Sequence, residues 1–132
     1  MITLSFLKLL EDNGFGTIDT DLFFQKLTLD KVGVYITDIG DPVARNSRDT
    51  QSYELLVRGK TDVEGYKLLK DIRKFIISNY STTCELPPVP PITTEEYTNV
   101  ELSKPSTITN VGLDATKRVI YSLTGTIIYK EK

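Results

Sequence analysis

The chain has 132 residues and a mass of 14.9 kDa, about one ordinary domain, which excludes two full-sized ones. With 39% hydrophobic residues it can bury a core without a staple, and 16 basic against 18 acidic residues leave a net charge of −2. That balance removes the overall footprint of a protein whose main task is gripping nucleic acid, while leaving room for one local basic face.

Leu4, Leu7 and Leu10, with Phe6 beside them, recur at helical spacing and Gly14 follows Asn13 as a stop, so the pattern predicts a helix over 2–12. From Gly14 to Leu29 turn residues mix with Leu22-Phe23-Phe24, which reads as a further helical turn under a sheet. Val32, Val34 and Ile36 alternate with Gly33, Tyr35 and Thr37, the period of a half-buried strand, and Gly40-Asp41-Pro42 closes it. Pro42 to Thr50 is poor in apolar residues and reads as a long exposed loop. Tyr53, Leu55 and Val57 mark a second strand, and Gly59-Lys60-Thr61-Asp62 a turn able to cap a helix. Tyr66, Leu69, Ile72, Ile76 and Tyr80 then form an apolar stripe against Lys67, Lys70, Asp71, Arg73 and Lys74, an amphipathic helix over about 63–80.

Leu86-Pro87-Pro88-Val89-Pro90-Pro91 forbids helix and central strand and favours an extended polyproline segment. Tyr97 to Leu102 and Ser106 to Leu113 read as strand pieces around Lys104-Pro105, where the proline argues for an edge or a bend. Val119, Tyr121, Leu123, Ile127 and Tyr129 occupy odd positions of one long final strand, with Gly125 as the expected site of a bulge. The order α-β-β-α-β-β(-β) predicts a single α+β domain over 1–132, with long loops near 40–52 and 81–96. Its expected core is one antiparallel or mixed sheet of four to five strands packed against two main helices.

Histidine is absent and cysteine occurs once, at Cys84. An internal disulfide is therefore excluded, a zinc site of nitrogen and sulfur ligands nearly so, and the usual acid–base agent near neutral pH is missing. Met1 to Lys8 lacks a basic n-region and its apolar run breaks at Lys8 and Glu11, so no secretory signal is expected. No stretch approaches the roughly 18 apolar residues that span a bilayer, and a soluble protein that stays in the cell making it is the expectation.

Gly14-Phe15-Gly16 follows a helix and lacks the lysine and hydroxyl of a nucleotide loop, so it reads as a turn. Asp19 with Asp21, and Asp38 with Asp41, have spacings that can hold magnesium and a phosphate, but such spacings are common and read first as caps and turns. Glu95-Glu96 reads as a solvated loop, and Cys84, with no histidine to act as its base, as a plain thiol. No catalytic, cofactor or metal site is expected. The candidates for contact with other molecules are Arg45, Arg48 and Asp49 in the first loop, and Pro87, Pro88, Pro90 and Pro91, whose stiff strip serves for docking or as a spacer.

Tyr53-Glu54-Leu55-Leu56-Val57-Arg58-Gly59-Lys60, followed by the helix from Val63 to Tyr80, resembles the strand–turn–helix of the minor capsid and tail-terminator proteins of long-tailed bacteriophages. The stretch Gly112-Leu113-Asp114, a polar turn, then Arg118 leading into the final strand is similar to that family's late Gly-x-Asp. The chain departs from the pattern at Thr124-Gly125, where an Asn and an aromatic are usual, and at the proline run, which looks like an insertion. The resemblance implies a structural virion protein, not an enzyme, that closes the head-proximal end of the tail tube as a ring, commonly six-fold. Its partners would be itself, the tail tube protein and the head–tail connector, with no membrane, no cofactor and no sequence-specific nucleic acid, though DNA can pass through such a ring. A connector protein of similar shape is an alternative. Two further readings stay open: a binding module docking through its prolines, and a magnesium-dependent phosphoryl enzyme using Asp38, Asp41 or Asp19. The mass in solution separates the first from a ring, and tight metal binding would mark the second.

Overall fold

The computed structural model describes residues 2–25, 31–45, 47–79, 84–86, 94–115 and 117–131. Helix α1 (Ile2–Asp12) buries Leu4, Phe6, Leu7 and Leu10, as their spacing requires. It ends in a Schellman motif: the Phe15 N–H donates to the Leu10 carbonyl at 3.1 Å and the Gly14 N–H to that of Glu11 at 3.1 Å. Gly14 supplies the left-handed turn, φ +84°. Phe15 is thereby delivered against Phe75, with ring centroids 5.4 Å apart.

Leu22–Phe24 is not a helical turn but a short strand, β1, which pairs in parallel with Val34–Ile36 of β2 (Gly33–Arg45). Nor is 40–52 a loop. Strand β2 runs to Arg45, β3 (Arg48–Arg58) starts three residues later, and the two form one antiparallel hairpin with a bulge between Ile39 and Val43. Helix α2 (Asp62–Asn79) follows, its first turn capped by Thr61, whose Oγ1 accepts the Glu64 N–H at 3.2 Å. Strands β4 (Cys84–Leu86), β5 (Tyr97–Leu102), β6 (Thr109–Leu113) and β7 (Val119–Glu131) complete the chain.

Among the described residues seven strands form a single sheet in the order β1-β2-β3-β7-β5-β4, with β6 also paired to β7. The expectation of a four-to-five-stranded α+β sheet is therefore corrected. Among the described residues 48% are strand, and the curled, mixed sheet carries two helices. Register shifts in β2, β4–β5, β5–β7 and β6–β7 account for the curl, because each extra residue bends its strand.

Strand β7 is the spine. One edge pairs with β3 from Ile120 to Tyr129; the other pairs with β6 near its start and β5 near its end. Between β6 and β5 the neighbouring segment contains Pro105, which has no N–H to give. Two serines fill the gap. The Ser103 and Ser106 N–H groups donate to the Thr126 and Thr124 carbonyls at 3.0 and 2.8 Å, and their hydroxyls accept the Thr126 and Thr124 N–H groups at 3.0 and 2.9 Å.

Both helices cover the face that carries Val34, Ile36, Tyr53, Leu55, Val57, Leu123 and Ile127, all buried. Phe6 of α1 meets Tyr53 at 5.2 Å and Tyr66 of α2 meets Tyr121 at 5.4 Å between ring centroids. The final strand has no bulge at Gly125. This residue stands in regular register opposite Tyr53, whose ring occupies the space where a Cβ would be.

Candidate interaction surfaces

The other face of the sheet is open where the hairpin and β7 meet. Register aligns two rows across three strands: Ile39–Ser52–Thr126 and Val43–Thr50–Ile128. Asp41 and Arg48 close this area into a groove of about 800 Å³. A second groove of about 590 Å³ continues it over Ser103–Ser106 and Thr124–Thr126. The bulge that shapes the first groove is held from below by Gln51, 2% exposed, whose Nε2 donates to the Gly40 carbonyl at 3.1 Å.

Of the residues singled out in the sequence, Arg48 reaches this groove and is engaged there in an ion pair with Glu101 at 3.0 Å. Asp49 pairs with Ala44 on one side and Tyr129 on the other within the ladder. Arg45 pairs with Arg48 through the backbone at the hairpin end; its side chain is outside what is described. Pro87, Pro88, Pro90 and Pro91, and with them most of the 81–96 loop, lie outside the described residues.

Asp21 and Asp38 each have hydrogen-bond partners of their own. Asp21 Oδ1 accepts the Thr17 N–H and its carbonyl accepts the Val34 N–H at 2.9 Å, the work of a turn residue that also starts the β1–β2 pairing. Asp38 accepts the Thr3 hydroxyl at 2.7 Å, tying α1 to β2. Among the described residues no three Asp, Glu or Cys side chains gather as a cation cage.

Two sheet margins carry exposed aliphatic side chains. Beyond the three residues covered by β1, the outer edge of β2 has no strand partner among the described residues, and Ile39 and Val43 there are 47% and 57% exposed. At the opposite side of the sheet every residue of β6 is exposed, with Val111 at 57% and Leu113 at 68%. Two exposed pairs at the margins of one sheet are more than the scattered apolar side chains any surface carries.

The structure also joins residues that the sequence presents far apart. Arg58, 5% exposed, donates from Nε to Asp114 Oδ2 and from Nη1 to the Lys31 carbonyl at 2.8 Å. The second Asp114 oxygen accepts the Arg118 N–H at 3.1 Å. Arg58 at the end of β3, Asp114 and the backbone of Arg118, just before β7, therefore form one largely buried polar cluster. It anchors the β6–β7 turn to the end of β3. The separation of 56 positions between Arg58 and Asp114 leaves no local signal of the pairing.

Four tyrosines are perturbed, Tyr35 upward chiefly by burial. Burial pushes the Tyr53 phenol well up, and its hydroxyl has no hydrogen-bond partner among the described residues. Burial, then the charges of Glu95 and Glu131, pushes Tyr97 up, and burial followed by Asp49 takes Tyr129 up to about 12. Tyr97 and Tyr129 pack edge to face at 5.3 Å.

Among the described residues no helix is long and apolar enough to cross a membrane. No known family model matches the chain, and no curated protein matches it.

Proposed function

We propose that the chain is a structural subunit rather than an enzyme: a tail terminator of a long-tailed bacteriophage. In this reading it forms a ring on the head-proximal end of the tail tube within the virion and joins the tail to the head connector. The observation that carries the reading is the pair of uncovered aliphatic margins, Ile39 and Val43 on β2 and Val111 and Leu113 on β6. They lie on opposite sides of one sheet and cannot cover each other within a chain. Contact between different patches of successive copies is head-to-tail, and it closes into a ring when the rotation allows. Both margins contain a bulge, which disfavours simple continuation of a ladder. The contact is therefore made chiefly by side chains.

Two charge substitutions test this arrangement. Val43→Lys blocks the β2 margin and Leu113→Lys blocks the β6 margin, each at an exposed site where the subunit fold is unaffected. Each variant alone should stay monomeric by light scattering. Mixed, they should form a pair and nothing larger, because one intact margin of each kind remains. Full assembly by either variant alone would refute the head-to-tail contact.

A further inference from the structure

The chain's net charge of −2 conceals a strongly uneven distribution. Residues 67–74 of α2 contain Lys67, Lys70, Arg73 and Lys74 against Asp71 alone, a local charge of +3, which leaves −5 for the rest of the chain. Helical geometry sorts these side chains at about 100° per residue. Leu69, Ile72 and Ile76 face the sheet, and Lys67, Lys70 and Lys74 fall together on the opposite, exposed side. Asp71 lies toward one flank of that row. The other flank, toward Tyr66 and Arg73, borders a groove of about 250 Å³ completed by Thr107 and Ile108. The acid is thus turned away from the groove while three of the cations line it.

This arrangement is fixed rather than incidental to a floppy surface. Arg73 is held by its Nε donating to the Ser106 carbonyl at 2.8 Å, which pins α2 to the segment before β6. Tyr66 is braced by its edge contact with Tyr121. Neither Lys67, Lys70 nor Lys74 has an ion-pair partner among the described residues, whereas Lys8, Arg48 and Arg58 all do. Cations left together without acids repel one another, and a polyanion relieves that repulsion.

We infer that this face of α2 binds the phosphate backbone of nucleic acid without reading its sequence. From Lys67 to Lys74 the helix rises about 10 Å, the length over which one strand of a duplex presents about three phosphates. The row and the flanking groove match a run of phosphates better than a single anion. Arg73, the lining side chain best suited to a paired base contact, is tied down at Nε by the Ser106 carbonyl, and the exposed lysines act as point charges that follow phosphates. The inference goes beyond the assembly proposal and stands on the charge distribution of one subunit.

Fluorescence anisotropy with two labelled duplexes of unrelated sequence tests it on the full chain. Both should bind equally, and four cations predict a slope of log K on log salt near −3.6, an affinity loss of about 150-fold between about 50 and 200 mM salt. Lys70→Glu with Lys74→Glu should weaken binding at low salt at least 10-fold and flatten the slope. Lys31→Glu with Lys130→Glu, the same change in net charge at exposed sites off α2, should leave binding within about 2-fold. Circular dichroism confirms that both pairs are folded. Absence of binding at the lowest salt would overturn the inference, as would an equal loss from the two charge pairs. A polyglutamate peptide bound in place of DNA would overturn it too and assign the face to an acidic protein partner.

Discussion

Gly125 offers the sharpest test of the packing. A Cβ at this position would lie 2.6 Å from Tyr53 Oη and 2.8 Å from its Cζ, well inside the 3.4 Å at which ordinary contact begins. The phenol cannot simply step aside, because Tyr53 is 0% exposed and its ring is packed against Phe6. Gly125→Ala should therefore incur an overpacking cost of about 3 kcal/mol, reduced by the roughly 0.5–1 kcal/mol that alanine gains over glycine in a strand. The net loss is about 2 kcal/mol, read as a lower urea midpoint at unchanged slope by far-ultraviolet circular dichroism. Tyr53→Leu removes the obstructing atoms and costs stability through the cavity it leaves. In that background Gly125→Ala keeps only the alanine gain and should stabilise by about 0.5–1 kcal/mol, so the two changes couple by about 3 kcal/mol. Strict additivity of the two substitutions would refute the reasoning.

Other consequences are equally direct. Asp114→Ala takes the carboxylate from a guanidinium that is 5% exposed and should cost about 3–5 kcal/mol in urea unfolding. Ser106→Ala removes the hydroxyl that accepts the Thr124 N–H and should cost about 1 kcal/mol, with faster amide exchange at Thr124 as the local sign. Tyr129 ionises near 10 when unfolded but only at about 12 when folded, so above pH 10 the unfolded state sheds protons that the folded state keeps. Stability should fall as pH rises from 10 to 12, and Tyr129→Phe should lessen that slope in denaturation midpoints taken across the range.

What the sequence made legible follows burial. The odd-numbered apolar run of β7 and the stripes of α1 and α2 have the periods they do because one face of each is packed, and Gly14 was readable as a helix stop for a local backbone reason. The hairpin over 40–52 is not readable, because its outward side chains face a groove and solvent and the one described side chain that is buried, Gln51, is polar, so no apolar alternation marks it. Backbone pairing with β7 makes that stretch a strand. Leu22-Phe23-Phe24 has no period at all in three residues, and its identity as β1 depends on β2, a dozen positions later. At Gly125 the local sequence suggests a bulge because it records only the missing side chain. The reason, the Tyr53 ring, lies across the ladder. The first-loop candidates came apart for a similar reason: Arg48 is paired with Glu101 of a distant strand, and Asp49 is part of a ladder. The cationic side of α2 is legible from its helical period, whereas only the fold shows that Arg58 meets Asp114 and that Arg73 meets Ser106.

The central claim is assembly, and the mass of the unmodified chain in solution tests it most directly. Gel filtration with light scattering over a wide concentration range should give a closed species near six times 14.9 kDa, with no open series of intermediate masses. A mass of 14.9 kDa at every concentration would contradict the account.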